Sequence, residues 1–201
     1  MSDESYLHWG QVLRPKGDHM SKIEIVSSGI THLQTEAVVN AANSRLQEGG
    51  GVCGAIFSAA GAHRLQKACD EIGGCQTGSA VITPAFDLNA KYIIHAVGPI
   101  WSGGQNGEPE LLYGAYMKSL ELAREYNCSS IGFPLISAGI YGYPVDKAWD
   151  VAIRACRDFI NENADYDILI RFGVPNEENR KTGNAVLEKM ISKSQDNKKE
   201  K

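Results

Sequence analysis

No apolar run in this 201-residue chain approaches the ~20 residues of a membrane-spanning helix. The first residues do not read as a basic-then-apolar leader pattern: Asp3 and Glu4 stand where such a pattern needs positive charge. The five cysteines, Cys53, Cys69, Cys75, Cys128 and Cys156, are odd in number and scattered, without C-x-x-C or zinc-finger spacing. That argues against a disulfide framework or a bound metal, and fits reduced thiols in the cytoplasm. Positive charge is not in excess: 20 Lys and Arg against 24 Asp and Glu leave a net charge of -4. Such a balance argues against nucleic acid held by bulk charge. A small anion held by backbone N–H groups remains open, because it needs no Lys or Arg.

What is present reads as one α/β domain. Residues 1–21 lack periodicity and read as an N-terminal extension or added segment, with Met20 as an alternative start; residues 192–201 read as a charged, solvated tail. Between them, strand-like and helix-like segments alternate. "KIEIV" (22–26), "EAVVN" (36–40), "SAVITP" (79–84), "KYIIHAV" (91–97), "SSIGFPLI" (129–136) and "DILIRFGV" (167–174) read as strands. Helices are expected from "GAIFSAAG", "AHRLQKACDEI", residues 109–127, residues 146–161 with Asp146 as N-cap, and around 183–191. In 109–127, Leu112, Tyr116, Leu120 and Ala123 share one helical face. The alternation predicts a three-layer α/β/α sandwich around a mixed sheet of about six strands. The near-continuous apolar strand at 91–97 suits a sheet buried on both sides.

Two loops combine glycine, polar side chains and a following helix: "NAANSRLQEGGGVCG" and "ISAGIYGYP". Ligands of open α/β sheets gather beyond the carboxyl ends of the strands. A glycine loop entering a helix offers bare N–H groups and the positive end of the helix dipole, which suits phosphate. Two such loops face to face would wrap a diphosphate; taken singly, each is equally well read as a tight turn. Gly49, Gly51 and Gly54 match G-x-G-x-x-G, but the glycines come some nine residues after Asn40, too late for a dinucleotide fold. No Lys-Ser/Thr pair follows them, so a triphosphate P-loop is excluded as well.

The blocks "VVNAAN", "GGGVCGAIFSAAG", "YIIHAVGPIW" and "FPLISAGIYGYP", in this order, resemble the signature blocks of the macrodomain family over roughly residues 22–190. Within it the chain most resembles the branch that removes mono-ADP-ribose from acidic side chains, and related modules that only bind ADP-ribose. The resemblance implies ADP-ribose or an ADP-ribosylated protein as partner, and no cofactor. It implies that Asn43 grips the distal ribose, donating and accepting at once. Gly49, Gly50 and Gly51 would let the backbone approach that sugar, and Val52, Cys53, Gly54 and Ala55 would start a helix aimed at the diphosphate. Ser137, Ala138, Gly139, Ile140, Tyr141 and Gly142 would form the opposite wall. Tyr141 or Tyr143 would pack on the sugar. Gly29 and Ile30 would lie at the adenine end. Asn40 reads as structural, His95 as a core histidine and His63 as a surface residue.

Three departures from the family pattern stand out. Gly29 occupies the place of an Asp that accepts from the adenine amino group. No aromatic follows the last strand, where many members place one against the base; Phe172 reads as part of the strand. Cys53 stands where the hydrolase branch carries an Asp, so the expected catalytic pair is Asn43 and Cys53. Cys53 either packs as a small apolar group or, at a helix N-terminus, titrates low and joins the chemistry. The expected activity is hydrolysis of mono-ADP-ribosyl esters or of O-acetyl-ADP-ribose, the alternative being binding without turnover.

Overall fold

The computed structural model describes residues 11–12 and 20–199. The elements are β1 (Gln11–Val12), β2 (Lys22–Val26), a 3-10 turn (Ile30–His32), β3 (Ala37–Ala41), α1 (Val52–Ala60), α2 (Ala62–Ile72), β4 (Ser79–Pro84), β5 (Tyr92–Val97), α3 (Glu108–Glu125), β6 (Ser130–Phe133), α4 (Val145–Glu162), β7 (Leu169–Gly173) and α5 (Glu177–Lys199). The strands form one sheet in the order β1-β2-β7-β6-β3-β5-β4. The five inner strands run parallel, and β1 and β4 pair antiparallel at the two edges. The expected mixed sandwich is therefore present, with the six expected strands joined by the two-residue β1.

Strand alternation splits the interior into two cores. In β5, Ile94 and Ala96 enter one core while Ile93 and Val97 enter the other; in β3, Ala37 and Val39 part from Val38 in the same way. Such period-two sorting is what a pleated strand covered on both faces requires. The first core lies under α3, α4 and α5 and is aromatic. Phe133 and Phe172 stack at 5.5 Å, with Tyr116 5.2 Å from Phe133 and Trp149 5.0 Å from Phe172. The second core, under α1 and α2, holds Ile56, Phe57 and Leu65. The predicted face Leu112, Tyr116, Leu120 and Ala123 is fully buried.

Several boundaries differ from expectation. Pro144, not Asp146, caps α4; Asp146 sits in the first turn, with no side-chain cap bond, where its charge still favours the helix dipole. α5 begins at Glu177 and runs to Lys199, through most of the segment expected to be a solvated tail. β6 stops at Phe133 because residues 134–136 already turn away from the sheet. Gln11 and Val12, set aside with the extension, pair with Ile23 and Lys22. The expectation for the rest of residues 1–19 and for 200–201 falls outside the described residues.

Candidate functional site

β3 and β6 are neighbouring parallel strands, with Ala37 opposite Ile131 and Val38 opposite Gly132. The segments leaving their carboxyl ends, 42–51 and 134–144, therefore rise side by side from one rim. They enclose a cavity of about 320 Å³. Asn43, Gly49, Gly50, Gly51, Val52 and Cys53 line one wall; Ser137, Gly139, Ile140 and Tyr141 line the other. Ile140, 81% exposed, reaches across the mouth: its Cδ1 lies 3.6 Å from where a Cβ on Gly50 would stand.

The first turn is folded largely by Asn43. Its Nδ2 donates to the Gln47 carbonyl at 2.7 Å, and its Oδ1 accepts from the Arg45 and Gln47 amides, both at 3.2 Å. Leu46 adopts a left-handed backbone (φ 57°) and buries its side chain in the second core, anchoring the turn. Gln66 of α2 adds a bond at each side, accepting from Glu48 N and donating to Leu46 O. Gly51 enters α1 at φ 62°, ψ -130°, a conformation open to glycine alone. A Cβ on Gly54 would stand 2.6 Å from the Gly49 carbonyl, so its glycine lets the helix pack against the loop backbone.

The second turn is shaped from outside. The buried Tyr116 hydroxyl accepts from Ile136 N at 3.0 Å and donates to the Pro134 carbonyl at 3.5 Å. Trp101 N donates to the Tyr141 carbonyl at 2.9 Å, and the Trp101 ring packs 4.6 Å from that of Tyr143. Ser137 adopts a left-handed backbone (φ 64°), and its buried Oγ makes no protein hydrogen bond. A Cβ on Gly98 would collide with that Oγ, so the residue ending β5's apolar run has to be glycine. The segment holding Trp101 is itself folded around Glu108. That carboxylate accepts from Ser102 N and Oγ, Gly104 N and Asn106 N at 2.6–3.0 Å. Burial alone would raise its pKa; the donors outweigh burial and hold it at about 2.

Among the described residues, no protein acceptor meets the N–H groups of Gly50, Gly51, Val52, Cys53 or Gly54, nor those of Ser137, Gly139, Ile140 or Tyr141. For Val52, Cys53 and Gly54 this follows from their place in the first turn of α1. Except for Gly54, the residues that carry these unpaired donors line one space, an arrangement suited to an anion.

Below the cavity lies a buried polar cluster. Asn40 Nδ2 donates to His95 Nδ1 (3.2 Å) and to Cys53 Sγ (3.6 Å), which places the ring proton on His95 Nε2, 3.0 Å from Thr83 Oγ1. Burial pushes the His95 pKa down to about 4, keeping the ring neutral, as expected of a core histidine. Burial likewise pushes the Cys53 thiol above its ordinary value. Of the two readings of Cys53 this direction favours packing: desolvation outweighs the hydrogen bonds from Asn40 and the Gly49 amide. Among the described residues, no carboxylate, imidazole or cation lines the cavity.

Of the other expected site residues, Gly29 and Ile30 lie off the cavity, Ile30 buried in the second core. Gly54 and Ala138 stand behind its walls, and the Ala138 amide is taken by the Leu135 carbonyl at 3.4 Å. Tyr141 lines the space, whereas Tyr143 is core. His63 is exposed on α2. Sequence reasoning missed Gly98, Ile136 and the support from Tyr116, Trp101 and Glu108. The glycine closing "YIIHAVG" was a readable signal for the first; Tyr116 read only as core, and nothing local marked Glu108.

The macro domain family model matches residues 39–152. The chain belongs to the macro domain family. A macro domain-containing protein of Chlorobaculum tepidum is 49% identical over 148 residues, 74% of this chain and 86% of that protein. A Salmonella typhimurium protein named O-acetyl-ADP-ribose deacetylase is 51% identical over 148 residues, 72% of this chain and 82% of its own length. The Oceanobacillus iheyensis macrodomain solved with ADP matches with a TM-score of 0.81 and 39% identity, covering 86% of this chain and 93% of that one. The Trypanosoma brucei macrodomain in complex with ADP-ribose gives 0.74 and 37%, covering 80% and 67%. Among the described residues no helix is long and apolar enough to cross a membrane.

Proposed function

We propose that this macro domain binds ADP-ribose between its two glycine turns and hydrolyses esters on the distal ribose, with O-acetyl-ADP-ribose or mono-ADP-ribosylated Asp and Glu side chains as substrates. The observation that carries this reading is the pair of unpaired N–H arrays facing one cavity. The diphosphate takes those donors; macrodomains similar to this chain have been solved with ADP and with ADP-ribose. Asn43 faces the distal ribose. Both lone pairs of its Oδ1 and one Nδ2 hydrogen are used by its own turn, so it donates a single N–H to a sugar oxygen rather than donating and accepting.

Water attacks the ester carbonyl, the sugar oxygen leaves, and the acid and free hydroxyl are released. With no carboxylate on the walls among the described residues, positioning of water and ester between the turns carries the acceleration, helped by phosphate oxygens of the ligand. Cys53 stays a protonated thiol and acts as floor. The five free thiols accord with a reducing, cytoplasmic setting.

Calorimetry with ADP-ribose and release of acetate from O-acetyl-ADP-ribose test the proposal. Binding with turnover supports it; no heat and no thermal shift with ADP-ribose overturns it. Binding without turnover supports a second reading, a non-catalytic ADP-ribose module. The specific observation favouring that reading is that, among the described residues, no carboxylate or imidazole lines the cavity.

A further inference from the structure

A second groove, of about 450 Å³, lies behind the second turn and shares no lining residue with the cavity. Its volume is in the range of small-molecule sites. Trp101, Pro109 and Tyr143 give it apolar surface; Lys147, Asp150 and Arg154 of α4 give it charge. Positions 147, 150 and 154 are spaced i, i+3 and i+7, so the three charges stand in a row along one helical face.

The partners of these groups set them apart. Arg64, Lys91, Arg124 and Arg171 each reach a carboxylate. Among the described residues Lys147 and Arg154 reach none. Lys147 Nζ stands 5.1 Å from the centre of the Trp101 ring, and Arg154 Cζ stands 5.1 Å from that of Tyr113. A ring holds a cation in place without neutralising it, and the planar fork of Arg154 stays open to a phosphate. Asp150, between them, is exposed and has no ion pair or hydrogen bond among the described residues. The remaining cation of the lining, Arg157, is taken by Asp158 at 2.7 Å.

The two open cations rest on separate rings, two helical turns apart along the axis, so a ligand that engages both is longer than one phosphate group. Asp150 between them repels a bare polyphosphate or an acidic peptide, but a carboxylate there accepts from sugar hydroxyls. The half-buried Trp101 ring gives a flat base a surface to rest on.

We propose that this groove is a second nucleotide site, with the base beside Trp101 and Lys147, the sugar hydroxyls on Asp150 and the phosphate on Arg154. The site is separate from the cavity and does not rest on the ADP-ribose reading of it.

The test is equilibrium dialysis of AMP against the full chain, with the cavity filled by saturating ADP-ribose. The wild type should retain one AMP per chain. Arg154→Glu, which reverses the charge at the phosphate, should weaken AMP at least tenfold, and Asp150→Asn, which weakens the sugar acceptor, about threefold. Both variants should keep the wild-type affinity for ADP-ribose by calorimetry, which also reports an intact fold. Inorganic pyrophosphate should displace the bound AMP poorly. No AMP on the ADP-ribose-filled wild type, or an unchanged AMP affinity in both variants, overturns the site. Displacement by pyrophosphate at the concentration at which unlabelled AMP displaces overturns its assignment to a nucleotide. Failure of ADP-ribose itself to bind overturns the cavity reading, and AMP alone with the same two variants then decides the groove.

Discussion

The two walls of the cavity present the same chemistry, bare amides, by different construction. The first turn is folded mainly by residues within it: Asn43 bonds residues two and four ahead, Leu46 dives into the core and Gly51 makes the bend. Its main outside prop is Gln66. The second turn depends on residues far away in sequence: Tyr116 on α3, Trp101 and, through it, Glu108. The contrast teaches that equal ligand geometry does not imply equal sensitivity. A change inside the first turn should act directly on binding, whereas the second should be damaged by substitutions that touch no ligand.

The largest expected effect breaks the first wall. Gly54→Val places methyl groups against the Gly49 carbonyl, and overpacking of this kind costs about 1–3 kcal/mol. Differential scanning calorimetry should show a lowered midpoint, and the heat of ADP-ribose binding should vanish. A wild-type affinity in this variant would mean that the loop relaxes freely and that the first wall is not rigid.

Asn43→Ala removes three bonds within the turn together with the sugar donor. A loss of about 2 kcal/mol, some 30-fold in Kd, is expected by calorimetry. Asn43→Asp keeps the two accepting bonds but sets a carboxylate against the Gln47 carbonyl, so it should not restore affinity.

The second wall is tested from a distance. Tyr116→Phe leaves the buried Ile136 N–H without its acceptor, a cost of about 1–3 kcal/mol in stability by urea unfolding. ADP-ribose affinity should fall less than in Asn43→Ala, because no ligand contact is removed. Full retention of affinity would separate Tyr116 from the turn it touches.

Glu108 supplies a pH dependence for the same wall. Its folded pKa, about 2, lies below the ordinary 4.5. The carboxylate therefore contributes stability in full above pH 4.5, and that contribution is lost as the pH falls towards 2. Glu108→Gln should flatten the acid limb of a stability-against-pH curve across this window and weaken ADP-ribose binding by about fivefold at pH 7. An unchanged acid limb would show that its donors are replaced by water at no cost.

The smallest effect is expected where the walls meet. Ile140 is too exposed to matter for stability, so Ile140→Ala should leave the thermal midpoint unchanged and alter ADP-ribose affinity by about twofold. A much larger loss would make the side chain part of the enclosure rather than its rim.

Legibility in the sequence followed the same division. The strands at 22–26 and 79–84 and the helix at 62–72 were readable to the residue, because apolar period, β-branched content and glycine stops agree locally. The glycine turns were readable as anion-binding candidates for the same reason. Asp146 misled because an acidic residue in a first turn and an N-cap look alike in a string. Gly29 and Ile30 were expected at the adenine end by family likeness, and they are not among the residues lining the cavity between the two turns. Cys53 could not be decided from its neighbours, since its thiol is governed by how deeply the helix start is buried.

By itself, then, the sequence determined the layered α/β architecture and the two turns, because periodicity, turn glycines and the Asn43 side chain act over a few residues. Tertiary structure decided that β3 lies beside β6, that a tyrosine and a glutamate from α3 hold up the second turn, and that burial raises the pKa of the Cys53 thiol. Those outcomes depend on strand order and desolvation, which no short stretch of chain encodes.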